Sequence, residues 1–453
     1  MNVCPYMNES ATCNLLSPEV ARTTAYCDKC SQFAFRCTEG HWNRAFARYC
    51  TQCPQELKKP ANWDMASANP QHTATHPNSY SQETFIDDFS SWNCGTPTIE
   101  NTNNLPEPLV VDGHIILPNS SDSSLNAYTI IKRDQKWTLK PEWKIKFDIP
   151  LTYSATPVYH GLHIYYVMSG GLQKTHIFKG EMSSVEIRNV DIQKIESAPE
   201  CAPVKCDVSG NPTMIVGLKQ GLLLYDLVSG NGENIKHRFF DENEDPMSPV
   251  LCDNYIIFTS KQGGIFSLNL DTKKRRYGPP KGASFSAPVS VNGKVYFEKI
   301  NENGLRSLIR FDPHTGTLST AMDLDIEPID SIGARVALYK HPPVTDRRLL
   351  FLTDKFKQTL YIYDTDRDSN YTRDLQSDGD SRFVPHLSTA ANNKIYSAHS
   401  YGLTVIEPTR NYNIRHDVLV SGTSTTPRPV TRPIQYSNKL FVLCKEHLVC
   451  LNY

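Results

Sequence analysis

From about residue 106 onward the chain is written in short apolar runs broken by turn residues. Alternation of apolar and polar positions shows in stretches such as YIIFTS and LYIYDTD. Val, Ile, Leu, Tyr and Phe dominate these runs, and a period of two over so short a length predicts strands. No segment carries the spacing of a long amphipathic helix. One pattern recurs: a proline, a short apolar run, a turn holding Gly or Asn, and a second β-rich run. SAPVSVNGKVYF, with Pro288, Val289, Gly293 and Tyr296, is the clearest copy. Others open at Pro108, Pro157, Pro203, Pro249, Pro343, Pro385 and Pro433, so eight lead prolines stand 39 to 55 residues apart. A third strand follows most of these openings, as in GGIFSLNLDTKKR and SLIRFDPHTGTL, and then an outer fourth such as WKIKFDI.

Four short strands per unit at this period predict a mainly β chain built as a β-propeller over residues 106–453. Eight lead prolines imply eight blades, and seven if one of them belongs to an insertion. The last unit, RPIQYSNKLFVLCKEHLVCLNY, stops after its third strand, so a strand from before Pro108 is expected to complete it. The segment FIDDFSSW is a candidate docking strand. The long interval before Pro343 predicts an inserted loop around residues 326–340.

Residues 58–105 change character. They are rich in Pro, Asn, Ser, Thr and Gln with few apolar positions, and read as a polar linker ending in that docking strand. His72 and His76 fall in the linker and read as solvated.

Composition sharpens the picture at the N-terminus. Seven of the thirteen cysteines lie within the first 53 residues. MNVCPYMNES has neither a basic n-region nor an apolar h-region, so a cytoplasmic location with reduced thiols is expected. There, clustered cysteines point to metal rather than disulfides. Cys27–Cys30 and Cys50–Cys53 have the CxxC spacing that turns two thiolates toward one ion. Two assignments stand. One site built from Cys27, Cys30, Cys50 and Cys53 satisfies a tetrahedral zinc but leaves Cys4, Cys13 and Cys37 unused. Two sites, Cys4/Cys13/Cys27/Cys30 and Cys37/His41/Cys50/Cys53, use them all. Four ligands close a site to water, so the Zn2+ is expected to be structural, and a module of residues 1–57 needs it to fold. The remaining cysteines, including Cys201, Cys206, Cys444 and Cys450, read as packed thiols.

Two resemblances follow from these residues. RCTEGHWNRAFARYCTQCPQEL resembles short bacterial zinc ribbons, with Asn43, Ala47 and Arg48 in frame; Gly40 replaces the expected second cysteine and His41 offers the missing ligand. The proline-led openings resemble the pyrroloquinoline-quinone-like (PQQ-like) propeller repeat. Its D-x-x-T-G turn is kept at Asp312–Gly316, and Asp226–Gly230 follows it with Ser229. The second resemblance specifies fold rather than activity. Quinoprotein dehydrogenases share that fold, but they are periplasmic and carry tryptophans in the blade turns. Here the tryptophans are Trp42, Trp63, Trp92, Trp137 and Trp143, which leaves most repeats without one. An outer-membrane assembly propeller is another relative, and it needs a lipoprotein signal.

A net charge of -1 gives no global drive toward nucleic acid, and no run is long and apolar enough to span a bilayer. No nucleophile elbow, Walker loop or dinucleotide turn appears. Asp87–Asp88 and Asp323–Asp325 read as turn or surface charges. Lys273–Arg276 reads as a solvated hairpin tip, or as a docking point for an acidic partner or a phosphate backbone. The expectation is therefore a non-enzymatic scaffold or adaptor with structural zinc in a bacterial multi-component system. Its partner would be an ATPase, chaperone or effector subunit. The alternatives are a nucleic-acid-binding regulator using the ribbons, and an enzyme with a site in the propeller channel.

Overall fold

The structure is a computed structural model that describes residues 24–27, 32–36, 42–44 and 88–93 and, with interruptions, 107–452. Every regular element among the described residues is a β-strand. Eight antiparallel sheets, each with four principal strands, follow one another along the chain. The first seven cover 109–146, 158–184, 204–236, 250–278, 283–324, 344–374 and 387–418. Within each, apart from the doubled first strand of the fifth, successive strands are hydrogen-bonded neighbours, as expected of a meander.

The lead prolines sit where their chemistry allows. Pro108, Pro157, Pro203, Pro249 and Pro433 are buried and stand immediately before the first strand of their sheets. A proline donates no ladder hydrogen bond, so the position before a strand is where it costs least. Pro288, also buried, is a variation. It interrupts an innermost edge that holds two short strands, Ala283–Phe285 and Val289–Val291, both paired with Lys294–Asn301. Pro343 and Pro385 lie outside the described residues.

Alternation then builds the core. In the third sheet Met214 and Val216 pack toward the second, with Val158, Tyr165 and Val167. Ile215, between them, packs toward the fourth, with Ile256 and Phe258. The same two-sided packing joins the first sheet to the second, the fourth to the fifth and the fifth to the sixth. In the second to fifth sheets the inner strands are buried on both faces, which explains why stretches such as YIIF are apolar almost throughout.

The eighth sheet has a different parentage. Ile434–Tyr436, Lys439–Leu443 and His447–Asn452 supply three strands, and Asp88–Asn93 supplies the fourth. It pairs antiparallel with the last strand from His447↔Asn93 to Asn452↔Asp88. The innermost strand of this sheet lies beside that of the first, and the Asp88–Asn93 strand lies beside Lys136–Lys146. The last sheet is thus completed by a strand from ahead of the first.

A separate three-stranded antiparallel sheet holds Thr24–Cys27, Gln32–Arg36 and Trp42–Arg44. The segment around residues 326–340 lies outside the described residues.

Candidate functional site

In a four-stranded meander the turn between strands one and two and the turn between strands three and four leave the sheet at the same end. Here those turns form a rim, and each is closed by its own residues. The first kind is a two-residue reversal. Gly161–Leu162, Ser209–Gly210 and Asn292–Gly293 all have positive φ at both positions, from +50° to +83°, the geometry that matches strand twist. The second kind opens on an Asx side chain that accepts two backbone hydrogen bonds. Asp226 Oδ1 accepts from the N–H groups of Val228 and Ser229 at 2.8 and 2.9 Å, and Asp312 Oδ1 from His314 and Thr315 at 2.9 and 3.3 Å. Asn269 and Asp364 repeat the arrangement on Asp271/Thr272 and Asp366/Arg367. Four residues after each Asx the chain turns left-handed, at Gly230, Lys273, Gly316 and Asp368.

These turns are tied from sheet to sheet. Asn292 Nδ2 donates to Thr365 Oγ1 and Asp366 Oδ1 at 3.2 and 2.9 Å, and His314 Nε2 meets Asp253 Oδ2 at 3.1 Å. Arg276 reaches across to the carbonyls of Pro313 and His314 at 3.2 and 2.8 Å. Lys273 pairs with Glu233 of the third sheet at 3.0 Å, while within the fifth sheet Lys294 pairs with Asp312 at 2.5 Å. Tyr363 donates to Asp368, which Arg310 also faces. The opposite end of the sheets has its own braces beside the lead prolines. The N–H of Glu107 donates to Thr156 Oγ1 at 3.0 Å, that of Ala202 to Ser248 Oγ at 3.2 Å, and Thr259 Oγ1 to the Ser286 carbonyl at 2.7 Å.

The electrostatics follow from these contacts. The N–H of Ser229 holds Asp226 below the usual carboxylate range, with Val228 adding to it. Burial works against Asp312, yet Lys294 and the Thr315 and His314 N–H groups keep its carboxyl low. The Tyr363 hydroxyl does the same for Asp368. A row of histidines crosses the second sheet: His163 pairs with His160 on one side and His176 on the other. Burial lowers the pKa of both His160 and His163, and Lys205 adds to the effect at His160.

Of the expected zinc ligands, only Cys27 falls on a described element. It ends the strand Thr24–Cys27 opposite Gln32. Cys4, Cys13, Cys30, Cys37, His41, Cys50 and Cys53 lie outside the described residues, as do His72, His76 and Cys444. Among the described residues no three His, Cys, Asp or Glu side chains converge on one point.

Cys201 and Cys206 are buried thiols in the core between the third and fourth sheets, as expected of packed cysteines. Burial pushes Cys206 up to about 12 and Cys252 to about 11. Asp88 opens the completing strand and Asp323 pairs with Ser307 in the fifth sheet. The Asn269 and Asp364 caps depart from D-x-x-T-G, because Lys273 and Asp368 stand where the motif has glycine. An Asx at the last position of the third strand is the signal they share with the others.

No family model matches the chain, and no curated protein matches it. Solved structures do, at low identity. A europium-containing methanol dehydrogenase aligns at 11% identity over 85% of this chain and 89% of its own, with a TM-score of 0.55. The quinohemoprotein alcohol dehydrogenase from Comamonas testosteroni aligns at 11% identity over 86% and 80%, with a TM-score of 0.53. The computationally designed Ika8 protein aligns at 12% over 79% and 99%, with a TM-score of 0.52. Both dehydrogenases are PQQ-like β-propellers, so the repeat sheets of this chain have the fold that its proline-led openings resemble.

Proposed function

We propose that this chain is a non-enzymatic interaction scaffold. In this reading its eight sheets are the blades of one ring, closed by the Asp88–Asn93 strand, and its N-terminal module holds structural zinc. The observation that carries the reading is the rim. Its Asx side chains are spent on closing turns, and its exposed polar groups on tying one sheet to the next. Such a rim offers a broad, preorganised surface, and preorganisation is what a binding face needs. The N-terminal module supplies a second contact, and tethering two weak contacts raises the effective concentration of each. The ligands are Cys4, Cys13, Cys27, Cys30, Cys37, His41, Cys50 and Cys53, in two zinc sites. The place of Cys27 at a strand reversal supports the first of them. The setting is a bacterial cytoplasm, and the partner a protein subunit such as an ATPase, chaperone or effector.

Metal analysis of the purified full chain, together with cross-linking of copurified protein, tests this. Two zinc ions per chain and a stoichiometric protein partner are expected. One zinc would reduce the ligand set to Cys27, Cys30, Cys50 and Cys53. A second reading, an enzyme with a site in the propeller channel, draws support from the fold shared with the two dehydrogenases. A tightly bound organic cofactor, seen in the absorption spectrum of the purified chain, would replace the scaffold reading with that one.

A further inference from the structure

Asn292 and Gly293 form the first reversal of the fifth sheet, between the paired residues Val291 and Lys294. Asparagine followed by glycine is chemically fragile. The next backbone nitrogen can attack the side-chain amide carbon, and glycine has no Cβ to obstruct the approach. Three such pairs occur in the chain: Asn231–Gly232, Asn292–Gly293 and Asn303–Gly304. At the last of them the nucleophile is engaged, because the Gly304 N–H donates to the Asn301 carbonyl at 2.9 Å. At Gly293 the N–H makes no backbone hydrogen bond among the described residues. Around the place of its absent Cβ only Asp253 Oδ2 comes near, at 3.4 Å. Asn292 is exposed.

The side chain of Asn292 has a second part to play. Its Nδ2 donates to Thr365 Oγ1 at 3.2 Å and to Asp366 Oδ1 at 2.9 Å, both in the turn before the outer strand of the sixth sheet. The nitrogen that deamidation expels is therefore the atom that ties the fifth sheet to the sixth. While those two bonds last, the amide is held on the sixth sheet rather than free to close on Gly293.

We infer that Asn292 is a modification site, a deamidation site guarded by the sixth sheet, whose conversion replaces a tie between the sheets with a repulsion. Solvent water is the sole co-reactant. The Gly293 nitrogen gives up its proton and bonds to Asn292 Cγ, the Cγ–Nδ2 bond breaks, and ammonia leaves with a proton from water. Water then opens the five-membered imide at either carbonyl and leaves an aspartate or isoaspartate carboxylate, with one proton released. Nothing is oxidised or reduced. The new carboxylate faces that of Asp366 where an N–H donor stood, and like charges at such range repel. The chain has no step that returns the amide, so an opening of this seam that ends in ring closure is recorded for good. The chemistry is the chain's own and needs neither partner nor cofactor.

The test incubates the full chain in mildly alkaline buffer and follows conversion at Asn292 and Asn303 by peptide mapping and mass spectrometry. The folded chain is compared with the chain in urea and with Thr365→Val/Asp366→Ala, whose folding is verified by its melting curve. Conversion at Asn292 is expected to be at least about tenfold slower in the folded chain than in urea, the factor that a hydrogen bond to a charged group is worth. The variant should lose most of that protection at Asn292 and leave Asn303 unchanged. A second arm stands if that variant fails to fold. Asn292→Asp should speed hydrogen exchange in the Asp364–Ser369 turn, and adding Asp366→Asn should slow it again. Equal conversion of Asn292 in the folded and unfolded chain overturns the inference. So does protection that the Thr365→Val/Asp366→Ala variant leaves intact, which would assign the guard to the turn itself. Exchange in Asn292→Asp that matches the native chain, or that Asp366→Asn does not relieve, overturns the repulsion.

Discussion

Gly263 shows how little room some positions leave. Its φ is +88°, and a Cβ there would lie 2.2 Å from the Ala283 carbonyl oxygen, a backbone atom that cannot step aside. Gly263→Ala is expected to destabilise the chain by about 2–4 kcal/mol, measured by denaturant titration. Gly217, inside the strand Asn211–Leu218, is small for a packing reason: a Cβ would meet Cys201 Sγ at 2.6 Å. Charge inside the fold is equally exacting. Arg306 is 3% exposed and donates two hydrogen bonds to the Glu298 carboxylate. Removing one partner strands the other. Arg306→Met alone should cost about 3–5 kcal/mol, and Arg306→Met/Glu298→Met much less. The buried thiols give a third expectation. With Cys206 near 12 and Cys252 near 11, neither forms thiolate at pH 8, and both should resist alkylation until the chain unfolds, as mass spectrometry after pulsed labelling would show.

At the level of the element, the repeated turn explains both what could be read from the sequence and what could not. Pro ahead of a first strand and Gly in a first reversal suit the backbone geometry there, so they stand out in Pro288–Gly293 and several of its copies, although the reversal at Asp253–Asn254 does without glycine. The left-handed position of the second turn is filled by Lys273 and Asp368 without glycine, and there the motif disappears from view. The cysteines proposed as zinc ligands stand out only by their CxxC spacing, and of them strand pairing places Cys27 alone. The rim was not legible at all, because ties such as Asn292 to Asp366 and Asp253 to His314 join residues far apart in the chain. These turns also set a pH dependence. Asp226, Asp312 and Asp368 have folded pKa values below their ordinary 3.8, so the unfolded chain binds protons first as pH falls. Their stabilisation is present above about pH 4 and is lost as pH drops through the folded values. His160 and His163, also lowered, act earlier: the unfolded chain takes up protons below its ordinary 6.5 while the folded chain resists. Melting temperature should therefore decline from about pH 6.5 downward and more steeply below about 4, and His160→Gln/His163→Gln should flatten the first part of that decline.

For the whole molecule, the decisive contact is the one between Asp88–Asn93 and His447–Asn452. It was foreseeable because a unit that ends after three strands leaves an edge, and edges are costly. A chain beginning at residue 94 should lack that strand, melt at a lower temperature, and associate through the bared edge. Calorimetry and sedimentation velocity would check the two effects separately.

That contact also fixes an order of events during synthesis. The clasp strand leaves the ribosome early, but its partner is made some 350 residues later. At about 5–20 residues per second the clasp waits on the order of 20–70 s for the edge that receives it. Through that interval the early sheets can stack in sequence while the first has no neighbour on one side. The clasp strand is then a free pairing surface until His447–Asn452 withdraws it. The same interval is a window in which a holding chaperone, or a second nascent copy of the chain, competes for the clasp.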